Sequence, residues 1–449
     1  MIRLVFLLLG ANALKPAWRF LTIAGIAWML LGVAILFDLS DGKLFILLDT
    51  LAIFLIVEGL VETAAAFSVG IRQHWIDALR GVAFLLAAFL VFNVPWDGNI
   101  GAAIVFGCAF LVDGLFRIGS AFIVHSSRWR VGITAGLIEV CLAVAILMSW
   151  PIPHHLTVPF CFSLLLLTSG YALVRMALPL RELPEGGSVT ALPLYAARNW
   201  QGGVTRPVIP ANEDVWSASE ILNVYVWTAA GAIGSPERRV LIDRYIAAVD
   251  KNGVVSTGHA ALEMPPDIYV SHYPANDIDH NPDDFRALLR AGHENDVPGR
   301  FNPSLEWEAA NWCMPDQKVT FHRFKPEALR RFWAAYSLDN TYNLTARNCS
   351  TTVIQVLDAA LEGSVYTGHV WRDLFRLVSN PQFWLLRLVR GRAEAMTWTP
   401  GLVLDYSRLL LAVAENNQGR WRRKLREALQ SRRSFAHQDE RAEGVARQL

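Results

Sequence analysis

IGAAIVFGCAFLVDGLFRIGSAFIV, residues 100–124, decides what kind of chain this is. It carries one Asp and one Arg in an otherwise apolar run. As a helix rising ~1.5 Å per residue it is long enough for the ~30 Å hydrocarbon core of a bilayer. Five more runs of similar length lie outward from it, at 18–37, 45–67, 77–95, 131–150 and 157–178. The whole 449-residue chain agrees: 53 % of residues are apolar and 18 % charged, against about 25 % charged in soluble domains. Mean hydropathy is +0.30. Residues 1–180 hold few charges, whereas 181–449 read as an ordinary soluble sequence. Forty-one Lys+Arg against 40 Asp+Glu leave a net charge of +1, which argues against a general nucleic-acid binder. Cysteines number five, and Cys108, Cys141 and Cys161 fall inside apolar runs, so no disulfide framework is implied.

The six runs form three hairpins that repeat. Gly25, Gly81 and Gly136 recur at spacings of 56 and 55, and Glu58-Gly59, Asp113-Gly114 and Ser169-Gly170 at 55 and 56. Glu58 with Glu62, and Asp113 with Arg117, share helix faces. Together with Glu139 they read as an interhelical polar lock in preference to an ion path. Arg3, Lys15, Arg19, Arg72, Arg80, Arg128, Arg130, Arg175 and Arg181 cluster on one side, against Lys43 alone on the other. Both termini and the soluble part are therefore expected in the cytoplasm. The opening MIRLVFLLLGANAL has too short an apolar core for a signal peptide and reads as an interfacial lead-in. On its repeat and small-residue pattern, the half spanning 15–180 resembles the acid-resistance membrane proteins of the HdeD (DUF308) type.

Residues 181–215, rich in Gly, Pro and small polar residues, read as a linker. Strand-like runs follow at 221–229, 239–249, 254–262 and 267–273, then a polar excursion over 275–316 with a short helix near 282–291. A strand at 317–324 precedes a helix opened by Pro326. A second helix runs from Cys349 or Ser350 to Gly363. This order makes 216–380 an α+β domain. Residues 381–449 read as an amphipathic, basic C-terminal tail, with 381–412 fit to lie on anionic lipid or simply in solvent.

Arg347-Asn348-Cys349-Ser350-Thr351-Thr352 is where chemistry is expected. A thiol at a helix N-terminus sees the positive end of the macrodipole, which favours thiolate. His259, after Gly258 on a strand, is the candidate base. His272, 13 residues on, is the candidate orienting group, and Asn348 or the Cys349 N–H the oxyanion donor. The bland alternatives are a small buried cysteine and a satisfied strand histidine. Cys313, in NWCMP, has nothing to activate it. Asp277, Asp279, His280, His293 and Glu294 lack metal-ligand spacing.

Gly258-His259, His272 and Asn348-Cys349-Ser350-Thr351-Thr352 occur in an order similar to that of circularly permuted NlpC/P60 papain-like proteins, including lecithin-retinol-acyltransferase-like and DUF4105 domains. The resemblance spans about 222–362. It implies a papain-like domain with Cys349 as nucleophile, His259 as base and His272 in the third position. The expected whole is an all-α six-helix transmembrane domain joined to this α+β domain. It would be a multi-pass protein of a bacterial inner membrane, acting as a thiol hydrolase on a peptide, amide or acyl-lipid, with no metal or organic cofactor. The rival readings are a lipid or lipoprotein acyltransferase of the same fold, and a non-catalytic acid-stress or transport protein.

Overall fold

The computed structural model describes residues 2–39, 100–125, 129–191 apart from 185, 215–229 apart from 218, 248–249, 255–276 and 289–415, with single positions between 53 and 89. The spans expected at 45–67 and 77–95, with Glu58 and Glu62, lie almost wholly outside the described residues. So do 239–247, most of 282–291, and the basic segment after 415.

Among the described residues four helices are long and apolar enough to cross a membrane: Trp18–Phe37, Ile100–Val124, Trp129–Leu147 and His154–Leu180. They mark a multi-pass membrane protein. With two short helices before them, α1 (Ile2–Leu9) and α2 (Ala11–Leu14), they form α3 (Trp18–Asp38), α4 (Ile100–Val124), α5 (Trp129–Leu147) and α6 (Thr157–Leu180). The repeated glycines explain how these helices pair. The second helix of one hairpin crosses the first helix of the next: α4 lies along α5, and α6 returns to lie along α3. At each crossing two glycines face each other's backbone. A Cβ on Gly114 would sit 2.8 Å from the Gly136 carbonyl, and one on Gly170 2.6 Å from the Gly25 carbonyl. Lipid tails are as apolar as leucine, so such close approach, through van der Waals contact, is what holds the helices together. Gly59 and Gly81, the other members of the repeat, lie outside the described residues. One turn from Gly114, Arg117 Nη2 binds Asp113 Oδ2 at 2.8 Å and Glu139 Oε1 at 3.0 Å, a lock between α4 and α5.

The N-terminal segment is not an interfacial lead-in. Leu4 to Leu9 of α1 are all buried, and they belong to the core of the C-terminal domain. Apolar at every position but Arg3, α1 has to be enclosed. Its Leu7 and Leu8 carbonyls accept from the N–H groups of Gly363 and Val365 at 2.8 and 3.0 Å. The Glu362 carboxylate adds a clasp: its Oε1 accepts from the Ala11 and Val189 backbones, each at 3.0 Å, and its Oε2 from the Ser188 hydroxyl. The segments flanking the first and last membrane helices are thereby tied to one point of the soluble domain.

That domain is built on an antiparallel sheet of order β5-β4-β1-β8: β1 (Leu222–Trp227), β4 (His259–Met264), β5 (Ile268–Val270) and β8 (Gln317–Phe321). The two-residue strands β2 (Ala248–Val249) and β3 (Val255–Ser256) pair with each other. Strands β6 (His272–Pro274), β7 (Val297–Phe301) and β9 (Thr341–Tyr342) form a second sheet of order β6-β7-β9. Central β1 is buried on both faces. Leu222, Val224 and Val226 enter the main core, while Tyr225 and Trp227 join Ala261 in a second cluster. Among the described residues six α-helices complete the domain: α7 (Leu305–Asn311), α8 (Pro326–Tyr336), α9 (Cys349–Leu361), α10 (Val370–Val378), α11 (Pro381–Ala395) and α12 (Pro400–Glu415). Residues 381–415 are not a tail. Val403, Tyr406, Leu410 and Val413 of α12 are fully buried, and α12 packs on β1, β8 and α9. The domain therefore continues past residue 380.

Candidate active site

Helix α9 starts at Cys349 because Asn348 caps it. In extended backbone, Asn348 accepts the Thr351 N–H on its Oδ1 at 2.8 Å. Its Nδ2 donates to the carbonyls of Leu344 and Trp398 at 2.8 and 3.0 Å, and to the Thr397 hydroxyl at 3.2 Å. That amide is fully engaged in holding the helix start, so Asn348 is not placed to serve as an oxyanion donor. The backbone N–H of Cys349 is the remaining donor of that expected pair, and the Tyr342 hydroxyl lies within hydrogen-bonding reach of it.

His259 opens β4 opposite Trp227, and the two side chains share a face with Ala261. Gly258 before it has φ +71°, and a Cβ there would collide with the Trp227 carbonyl, so only glycine admits the chain at this point. His259 is 1 % exposed and Cys349 7 %. Burial by itself would lower the His259 pKa, but the charge and hydrogen bonding of Cys349, with those of Glu308, raise it above the ordinary imidazole value. Conversely, burial would raise the Cys349 thiol, yet the charge and hydrogen bonding of His259 lower it, helped by the Ala260 N–H and the Ser350 hydroxyl. A thiolate–imidazolium pair is the state both shifts favour. The two side chains are thus near enough to interact electrostatically.

The orienting group is not the expected one. His259 Nε2 lies 2.9 Å from Ser271 Oγ and 3.4 Å from Glu308 Oε1, while the Ser271 hydroxyl donates to Glu308 Oε1. Because Ser271 gives its only proton to the carboxylate, Nε2–H donates to Ser271, and Nδ1 is left without a hydrogen-bond partner among the described residues. Asn302 Nδ2 and the Tyr269 hydroxyl also donate to Glu308, at 2.7 and 2.6 Å. Burial works against ionisation of Glu308, but these bonds and the His259 charge pull its pKa down to about 2. The nearly buried carboxylate is thus a fixed counter-charge behind the imidazole.

His272, the expected third residue, sits one position past Ser271. Side chains alternate along a strand, so one residue changes the face. Tyr269 and Ser271 point with His259, whereas Val270 and His272 point the other way. His272 Nε2 donates to the Asn340 carbonyl at 3.2 Å and Nδ1 meets Thr352 Oγ1 at 3.1 Å, so the ring buttresses the first turn of α9. Burial lowers its pKa to about 4, which leaves it neutral. Glu308 and Ser271 were not singled out in the sequence. A capping Ser304 followed by Glu306 and Glu308 marks the start of α7, but nothing local ties that helix to β4.

Cys313 is half-buried. Its carbonyl accepts the Trp227 indole N–H at 2.8 Å, and burial with the Asp316 charge raises its thiol pKa. Asp277, Asp279 and His280 lie outside the described residues; His293 pairs with Asp296 at 3.0 Å on the surface. No family model, curated protein or solved structure matches this chain.

Proposed function

We propose that this chain is a membrane-anchored thiol hydrolase acting through an acyl-enzyme on Cys349. The observation that carries the reading is the buried Cys349–His259 pair, with His259 backed by Ser271 and an ionised Glu308. The thiolate attacks the carbonyl carbon of an amide, ester or thioester, forming a C–S bond and an oxyanion. The backbone N–H of Cys349, at the start of α9, is the candidate donor to that oxygen. As the C–N, C–O or C–S bond to the leaving group breaks, His259 passes its Nδ1 proton to the departing atom. His259 then takes a proton from water, which attacks the thioester, releases the carboxylic acid and restores the thiolate. An acyltransferase differs only in the second step, where an alcohol or amine replaces water. The thiol at a helix start against a strand imidazole favours a permuted papain-like fold for this domain, and the repeated glycines favour a six-helix HdeD-like membrane half.

Incubation of the purified full chain with p-nitrophenyl acyl esters tests the chemistry. A burst of p-nitrophenol and an acyl mass increment on the peptide containing Cys349 are expected. Acylation elsewhere, or none, defeats the reading.

Glu308 is a positioning residue, and Glu308→Gln separates its role from simple packing. The amide keeps the shape but removes the counter-charge and can present an N–H to Nε2. We expect kcat to fall roughly 10²–10⁴-fold. The Cys349 thiol should also shift to higher pKa, seen as an alkaline displacement of its alkylation profile. An unshifted profile would reduce Glu308 to a packing role.

The basic loops favour a cytoplasmic soluble domain, on a bacterial-type inner membrane. A phosphatase or fluorescent reporter fused after Arg181 is expected to read cytoplasmic, and export of that reporter reverses the orientation.

A further inference from the structure

Helices α10 and α11 expose an apolar surface that none of the described residues of the soluble domain covers. On α10, Asp373 and Leu377 are buried, and Val370 and Leu374 pack on the core. Trp371 and Phe375, four residues apart, share the opposite face and are 56 % and 62 % exposed. On α11 the buried side chains are Phe383, Leu386, Arg390 and Ala393, while Trp384, Leu385 and Leu388 face outward. The Trp384 indole donates to the Val378 carbonyl at 2.7 Å, which joins the two helices into one surface. Five large apolar side chains grouped in this way are unusual for a face in contact with water.

Two contacts show what this surface adjoins. The Trp371 ring meets Phe20 edge-on, centroids 4.8 Å apart, at the start of membrane helix α3. The Arg392 guanidinium lies 5.6 Å from the ring of Phe116 on membrane helix α4. The patch is therefore continuous with the lipid-facing surface of the membrane helices, on the side where they enter the soluble domain. Arg372 and Arg376 on α10 and Arg387 on α11 lie between its apolar positions. Aromatic and aliphatic groups flanked by arginines are the composition of helices that rest at the headgroup–acyl boundary of an anionic membrane.

We propose that α10 and α11 lie in the interface of an anionic bilayer, with Trp371, Phe375, Trp384, Leu385 and Leu388 immersed among the acyl chains. The soluble domain is then held flat on the membrane, by these two helices as well as by the chain connections to α3 and α6. Helix α9, which carries Cys349, is fixed in height above the lipid, so a carbonyl presented at the membrane surface is the substrate class best placed to reach it. The docking itself does not depend on Cys349 being a nucleophile.

The test uses the full chain in nanodiscs of phosphatidylcholine and phosphatidylglycerol, with p-benzoylphenylalanine replacing Phe375 or Leu388. The same probe at Leu338, which is 85 % exposed and lies outside the patch, is the reference. Ultraviolet irradiation followed by mass spectrometry should give lipid adducts at 375 and 388 severalfold above those at 338. Phosphatidylglycerol should be over-represented among them, and Arg372→Gln, Arg376→Gln and Arg387→Gln together should remove that excess. Adduct yields equal to those at 338, or crosslinks to a second copy of the chain in place of lipid, would overturn the proposal. Because the probe variants retain Cys349, their acylation by p-nitrophenyl ester reports separately on the hydrolase reading.

Discussion

Cys349→Ala is expected to abolish acylation and turnover together, because no neighbouring side chain can replace the sulfur. His259→Ala should follow with a loss of roughly 10²–10⁴-fold, the contribution of a positioned acid–base group. Cys313→Ala should leave both rates near those of the parent. Alkylation by iodoacetamide, read peptide by peptide, checks the electrostatics behind this order. The lowered Cys349 pKa and the raised His259 pKa bound the window in which the ion pair exists. Proton addition to Cys349 closes that window on the acid side, and proton loss from His259 closes it on the alkaline side. Cys349 should therefore alkylate near its plateau rate below the ordinary thiol range, whereas Cys313, its pKa raised, should label only on the alkaline side. With His259→Ala the buried thiol loses its counter-charge, and its labelling edge should move up by about one pH unit or more. Equal losses from Cys313 and Cys349, or an unshifted Cys349 edge, would mean that the wrong thiol has been named.

Asp358→Ala is expected to be the most damaging single change to the stability of the soluble domain. Arg390 and Asp358 form a buried two-pronged pair: Nη1 donates to Oδ1 at 3.0 Å and Nη2 to Oδ2 at 2.8 Å. The Tyr406 hydroxyl donates to Asp358 Oδ1 at 3.1 Å and accepts from Arg390 Nη1 at 2.7 Å. This cluster joins α9, α11 and α12. Removing the carboxylate leaves a guanidinium that is only 7 % exposed, with Glu394 on its Nε as the surviving acidic partner. Breaking a buried pair from one side typically costs about 3–5 kcal/mol, and the retained Glu394 argues for the lower end. A fall of about 10 °C in the thermal transition of the detergent-purified chain is the expected readout. Arg390→Met added to Asp358→Ala should recover most of it, since the buried guanidinium that lost its two-pronged partner is then gone. No recovery would mean that the cluster acts by packing alone.

How far the site could be read in advance depended on how local its causes are. Cys349 at a helix start is a local property, because the Asn348 cap and the apolar run after it lie in one segment. His259 was legible through Gly258, whose positive φ marks a forced close approach of chain. Ser271 and Glu308 were not. The sequence points to His272 and not to its neighbour Ser271, because spacing along a chain does not say which face of a strand a side chain occupies. Glu308 lies on a separate short helix, 37 residues beyond Ser271, and only folding brings the two together.

Hydropathy alone determined that part of this chain belongs in a bilayer, because apolar side chains over a run long enough to span hydrocarbon are driven out of water. The glycine periodicity likewise determined where the membrane helices approach, since a missing Cβ is a property of the residue itself. Only the tertiary structure decided which helices meet. It closes α6 on α3, across the whole length of the membrane half. It also withdrew α1 and α12 from their expected surface positions into the core of the soluble domain. A hydrophobic face specifies that it must be covered and says nothing of what covers it. That choice rests on shape and chain connection, which exist only once the other elements are in place.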